Sequence, residues 1–182
     1  MIELTSDHEY FVDGRKVPGF TEIATAMGLV SYYNCDPYYL ERGSAVHAAT
    51  ALFDTGKLDW DSVDPRIEGY LEAYIRFRTE ASADWDHTEE PLYHPTYRYC
   101  GTPDRFSPLI DIKTGQGYVI QLEAYAELLR ANGYDPDRTG YMLHLKENGT
   151  YKLETHKYDR KLRGIWLSAV SVFHYRKDKG LL

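Results

Sequence analysis

The chain has 182 residues, a hydrophobic fraction of 43%, a charged fraction of 27% and a formal charge of -7. That length suits a single domain over residues 1–182, large enough to bury about 70% of its unfolded surface. The acid excess argues against indiscriminate binding to polyanions; no apolar run reaches a membrane span, and Met1-Ile2-Glu3-Leu4 does not begin like a signal peptide.

Taken in order, residues 9–12 and 15–17 flank Asp13-Gly14, a two-residue hairpin signal. Thr21 reads as the cap of a short helix to about Met27, ended by Gly28. A Tyr-rich connection leads to Asp36-Pro37, cap and first-turn proline of a longer helix to about Asp54. Asp64-Pro65 predicts the start of another helix, with Ile67, Tyr70, Leu71, Tyr74 and Phe77 along one stripe. Strands follow from about 91 to 113, with turns at His94-Pro95 and Ser107-Pro108. Residues 117–132 read as a helix closed by Gly133. Residues 141–145 and 151–155 form a hairpin across Asn148-Gly149. A last helix starts near Asp159 and carries Leu162, Ile165, Trp166, Ala169, Val170 and Phe173. This order predicts an α/β unit, a central mixed sheet flanked by helices, with an N-terminal hairpin and a basic C-terminal helix.

Charge is unevenly spread. Residues 152–182 hold eight Lys or Arg against three acids, a balance of +5 that leaves -12 on the rest. A basic end on an acidic body suits a protein that meets phosphates on one side, and equally an ordinary solvated helix. The two cysteines, Cys35 and Cys100, form no CxxC and read as free thiols of a reducing compartment. A four-cysteine zinc or iron–sulfur site cannot be built from two. The 17 tyrosines suit half-buried packing, and some could line a groove for bases or sugars.

The segment Gly101-Thr-Pro-Asp104-Arg-Phe-Ser-Pro-Leu-Ile-Asp111-Ile-Lys113 carries the chemistry. A two-residue turn at Ser107-Pro108 pairs Phe106 with Leu109 and sets Asp104 opposite Asp111. Lys113, two residues on, shares the face of Asp111. Facing carboxylates repel unless something positive lies between them. A divalent metal supplies that charge, and the ammonium beside it can steer a water or a phosphate. An exposed hairpin with a minor ion pair is the plainer alternative. His47 on the first long helix could join such a metal or simply be structural. Gln121 and Tyr125, four apart, share a helix face. Glu89-Glu90 precede a strand, and Glu90 is a further candidate acid.

Four ordered elements, Arg42-Gly-Ser-Ala-Val-His47, Gly101-Thr-Pro-Asp104, Asp111-Ile-Lys113-Thr-Gly115 and Gln121-Leu-Glu-Ala-Tyr125, resemble the PD-(D/E)XK nuclease superfamily. The likeness is to its RecB-like exonuclease branch, in compact phage-type form, and spans roughly residues 40–130. It implies a restriction-endonuclease-like core and metal-dependent DNA hydrolysis in phage or bacterial recombination, repair or processing. Asp104, Asp111, His47 and the carbonyl of Ile112 would hold Mg²⁺ or Mn²⁺. Lys113 would act on the attacking water, flanked by Gln121 and Tyr125. Arg42 would contact phosphate or support the His47 helix; Arg176, Lys177 and Lys179 would track the DNA backbone. The implied setting is the cytoplasm, the host's if phage-encoded, with DNA and other recombination or replication proteins as partners. The family's iron–sulfur cluster is not expected here, and Asp111 stands where Glu is frequent. A non-catalytic DNA-binding protein on the same scaffold is the rival reading. A P-loop is not, because Ile112 precedes Lys113 where glycine is required, and no HExxH string occurs.

Overall fold

The computed structural model describes residues 1–5, 7–31 and 36–182. Within them the chain runs β1 (Ile2–Leu4), β2 (Tyr10–Val12), β3 (Arg15–Val17), α1 (Phe20–Ala26), α2 (Pro37–Asp54), α3 (Glu68–Glu80), β4 (His87–Thr88) and β5 (Leu92–His94). It continues β6 (Tyr99–Gly101), β7 (Arg105–Phe106), β8 (Ile110–Lys113), α4 (Val119–Ala131), β9 (Thr139–Leu145), β10 (Tyr151–Lys157) and α5 (Arg160–Asp178). The central sheet has the order β10-β9-β8-β7-β4. Only β8 and β9 pair in parallel, with α4 as their crossover, since parallel neighbours cannot be joined by a tight turn. The expected mixed sheet flanked by helices is therefore present. The Tyr-rich connection and Cys35 fall outside the described residues.

Alternation along β8 divides the molecule into two apolar layers. Ile110 and Ile112 pack with Leu143 and Leu145 of β9 against α2 and α3, where Val46, Tyr70, Leu71 and Phe77 meet them. Phe106, Leu109 and Met142 join the layer of α1, α4 and α5 around the fully buried Trp166. Asp111 and Lys113, out of phase with the two isoleucines, take the α4 side. Every residue of α4 from Ile120 to Leu129 is buried, because the helix lies between the sheet and α5.

Local chemistry explains where the elements begin. The Asp36 side chain accepts the Tyr38 N–H at 2.9 Å and Pro37 opens α2, as the sequence predicts. Asp159 caps α5 in the same way, accepting from the Lys161 N–H at 2.8 Å. Four expectations need correction. α1 is capped by Gly19 and not Thr21, which puts the buried Phe20 inside the helix. Asp64 takes the Arg66 N–H and side chain and closes a separate turn, so α3 starts only at Glu68. α4 starts at Val119, because Tyr118 before it holds extended backbone at φ -131° and ψ 117°. Ile165 sits on the exposed side of α5, while Trp166, Val170 and Phe173 are buried. The 91–113 strands also divide: β5 and β6 pair apart from the central sheet. An added strand, β1, extends the N-terminal hairpin to three strands.

Candidate active site

The β7–β8 register is the one a Ser107-Pro108 turn requires: Arg105 pairs with Ile110, which leaves Asp104 across from Asp111. The Ser107-Pro108 peptide is cis, and Ser107 has φ +64°. Neither acid faces open solvent. Asp104 is 9% exposed and Asp111 only 1%. Both line the floor of a cleft of about 820 Å³ that also takes in His47, Lys113, Gln121 and Tyr125. The N-terminal strands, with His8, Tyr10 and Lys16, form one wall, and the His47 face of α2 forms the other.

Asp104 is held from two sides. Its Oδ2 accepts the Ile112 N–H at 2.6 Å and its Oδ1 lies 3.0 Å from His47 Nδ1. Burial alone would raise its pKa, but His47, Lys113 and the Ile112 N–H outweigh it and hold the carboxyl below its ordinary range. Asp111 differs. Burial, reinforced by the Asp104 charge, raises its pKa in spite of the neighbouring ammonium. Lys113 Nζ bonds to Asp111 Oδ1 at 3.1 Å and to Gln121 Oε1 at 3.0 Å. It also lies 2.9 Å from Asp111 Oδ2, attracting it without hydrogen-bond direction. Gln121 Nε2 donates in turn to the Tyr125 hydroxyl at 3.0 Å. Burial, then the nearby Asp111 charge, raises the Tyr125 pKa well above its usual value, so the ring stays a neutral phenol. Gly101 gives Tyr125 its place, since a Cβ there would stand 2.8 Å from that ring.

The second acid of the Glu89-Glu90 pair is not the one at the site. Glu90 turns outward to His87 at 2.8 Å. Glu89, at φ +50°, donates its N–H to the Asp104 carbonyl at 3.1 Å and brings its carboxylate to the cleft. Burial, then Asp104, pushes the Glu89 carboxyl upward. His47, Glu89 and Asp104 offer ligand atoms all within 4.8 Å of one another. Glu89 Oε1 and Asp111 Oδ2 are buried with no hydrogen-bond donor among the described residues. Oxygen-rich, negatively charged and short of donors, this set fits a hard divalent cation. The His47 imidazole is pushed down by burial, yet the Asp104 carboxylate leaves its pKa raised overall.

The remaining expected contacts lie elsewhere. Ile112 reaches the site through its backbone, its side chain being in the α2–α3 layer. Arg42 does not line the cleft. Its guanidinium donates to the Thr114 carbonyl at 3.1 Å and lies 4.9 Å from the Tyr39 and Tyr70 rings, fastening α2 to the end of β8. At the end of α5, Arg176 donates to the Leu181 carbonyl at 3.2 Å and Lys179 is exposed. Lys177 reaches Glu22, a cleft-rim residue, at 3.3 Å. Cys100 is free and buried, its thiol pushed up to about 12 by burial, and so unreactive.

No protein-family model and no curated protein matches this chain. Among solved structures, the fold is shared with a proposed exonuclease from Eubacterium rectale: TM-score 0.56 at 11% identity, over 93% of this chain and 77% of that one. An alkaline exonuclease from Laribacter hongkongensis aligns at TM-score 0.48 and 14% identity over 87% of each chain. Its complex with dAMP gives 0.49 and 15%, over 91% of this chain and 89% of that one. At 11% identity the likeness to the first of these is one of fold alone. No helix among the described residues is long and apolar enough to cross a membrane.

Proposed function

We propose that this chain is a metal-dependent deoxyribonuclease, an exonuclease of the RecB-like branch of the PD-(D/E)XK superfamily. The observation that carries the reading is the floor of the cleft. Three carboxylates, Glu89, Asp104 and Asp111, converge there on one ammonium and one imidazole, an excess of negative charge that calls for a cation. The fold shared with a proposed exonuclease supports it.

In this reading His47, Glu89, Asp104 and Asp111, with the Ile112 carbonyl, would hold Mg²⁺ or Mn²⁺. The oxygen donors suit Mg²⁺ and the imidazole admits Mn²⁺. When bound, such an ion lowers the pKa of water and offsets charge on the leaving oxygen. The protein groups do the rest. Lys113, aimed by Asp111 and Gln121, orients the attacking water and offsets charge on the phosphorus. Tyr125, a neutral phenol, fixes the Gln121 amide and so the direction of the ammonium. Phosphate contacts fall to the end of α5, at Arg176, Lys177 and Lys179, where Lys177 stands beside the cleft rim. Arg42 supports the His47 helix from behind. The role is DNA recombination, repair or processing in the cytoplasm of a bacterium or phage host, alongside other recombination or replication proteins.

Incubation with linear and circular DNA in Mg²⁺, Mn²⁺ or chelator tests this. Linear DNA is expected to disappear only with metal, and Asp104→Ala or Lys113→Ala to abolish the loss. Full activity in chelator, or in both variants, would remove the assignment. DNA binding without cleavage in either metal would favour a non-catalytic scaffold protein.

A further inference from the structure

Behind β7, on the face away from the acids, a second polar cluster is closed off from solvent. Arg105 is 0% exposed. Its Nε donates to Asp54 Oδ2 at 2.6 Å, and Asp54 also accepts from the Tyr74 hydroxyl at 2.6 Å and lies 3.6 Å from Arg78. We propose that Arg105 is a positioning residue that sets the spacing of His47, Glu89 and Asp104; the inference rests on the metal-site reading above.

Each of the three is within reach of this one guanidinium, Asp104 and His47 through hydrogen bonds and Glu89 through charge alone. Nη1 donates to the Asp104 backbone carbonyl at 2.6 Å and stands 3.9 Å from Glu89 Oε1. Nη2 donates to the Thr50 hydroxyl at 3.2 Å. That hydroxyl donates in turn to the His47 carbonyl at 2.9 Å, one turn back along α2. A planar fork fixes the angles among its partners, which a lysine ammonium on a flexible stem does not. Coordination distances tolerate only about 0.2 Å; His47 and Glu89 each touch Asp104, at 3.0 and 3.1 Å, and the guanidinium ties the backbone on which that helix residue and strand-end residue stand. Stability alone is a poor reason for the pair, because a well-packed apolar group often serves a buried site as well as an ion pair does. Asp54 anchors the guanidinium directly at Nε, so that the fork points at the ligand set whether or not Tyr74 also donates to that carboxylate.

The test is Mn²⁺ binding to the metal-free protein by calorimetry, with circular dichroism to check the fold. Arg105→Lys keeps the charge beside Asp54, and Thr50→Val removes the His47 link at constant shape. Both are expected to bind Mn²⁺ about 10–100-fold more weakly, the usual cost of losing a partner behind a metal ligand. Tyr74→Phe touches Asp54 without touching the ligand set; it should lower the melting temperature and leave Mn²⁺ affinity unchanged. Should Arg105→Lys fail to fold, Thr50→Val decides the matter. Wild-type affinity in Thr50→Val, or equal weakening in Tyr74→Phe, would overturn the positioning role while leaving the site intact. Absence of Mn²⁺ binding to the unaltered protein would overturn the metal-site reading and this inference with it.

Discussion

Two buried polar clusters lie back to back across β7, and they solve the problem of buried charge in opposite ways. Behind the strand, Asp54 is enclosed by Arg105 and Arg78, with the Trp85 ring over both guanidiniums at 5.5 and 4.1 Å. In front, Glu89, Asp104 and Asp111 outnumber Lys113 and open onto the cleft. The carboxylate of the first cluster meets two guanidiniums, although its Oδ1, 3.6 Å from Arg78, accepts no hydrogen bond among the described residues. The second can reach neutrality only by taking up a proton or a cation, and that separates framework from receptor.

The largest effect expected from that contrast is on stability. Arg105→Met strands Asp54 in the interior and should cost about 3–5 kcal/mol in urea unfolding. Lys113→Met should cost clearly less, because Asp111, whose pKa is already raised, can protonate. Equal losses would break the contrast. Next comes pH. A metal takes neutral imidazole, while the His47 pKa is raised in the folded protein, so the proton competes at and above pH 6.5. Mn²⁺ affinity should therefore rise with pH up to and through the folded His47 value, by at most about tenfold per unit for one proton. A flat profile between about pH 6 and 8 would remove His47 from the ligand set. By the same sign, the His47–Asp104 attraction contributes stability that is present below the unfolded histidine pKa and fades as pH rises past the folded one.

A smaller change is expected from Asp111→Asn. Its surroundings disfavour the charged carboxylate, so without metal the melting temperature should rise by about 2–4 °C for each 1 kcal/mol relieved, while metal affinity falls. A lower metal-free melting temperature would show that Asp111 behaves as part of the closed kind of cluster. The smallest effect concerns the basic end of α5: replacing Lys177 should reduce the salt slope of DNA binding by about 1. Loss of affinity without a change of slope would place the phosphates elsewhere.

Much of the site was legible because it is local. The Asp104–Asp111 pairing follows from a turn between them and Lys113 from strand periodicity; helix periodicity puts Gln121 and Tyr125 on one face, and only the family resemblance turned that face toward the acids. What escaped depends on long-range placement. Glu89 and Glu90 are indistinguishable in sequence, and only a left-handed backbone at Glu89 turns the first inward. Arg105 looked like one more hairpin residue until the C-terminal end of α2 came to lie against it with Asp54. Helix starts slipped for a similar reason. Asp64 caps a turn as its chemistry suggests, but the chain resumes a helix only after Ile67. Thr21 has a capping side chain, yet Gly19 holds the position because it bridges to Cys100.

That bridge bears on how the cleft is entered. Among the described residues, the wall made by β1–β3 leans on the body through a small apolar group, Tyr10, Val17 and Cys100, a Tyr10–Thr102 hydroxyl contact of 3.0 Å, and the Cys100 N–H donating to the Pro18 carbonyl at 2.9 Å. The two acids it screens stand on a sheet clamped by helices on either side. A flap so lightly attached detaches at a lower free energy than the floor beneath it. Amide deuteration and protease nicking should reach residues 10–17 long before they reach β8, and the doorway can swing while the threshold stays put.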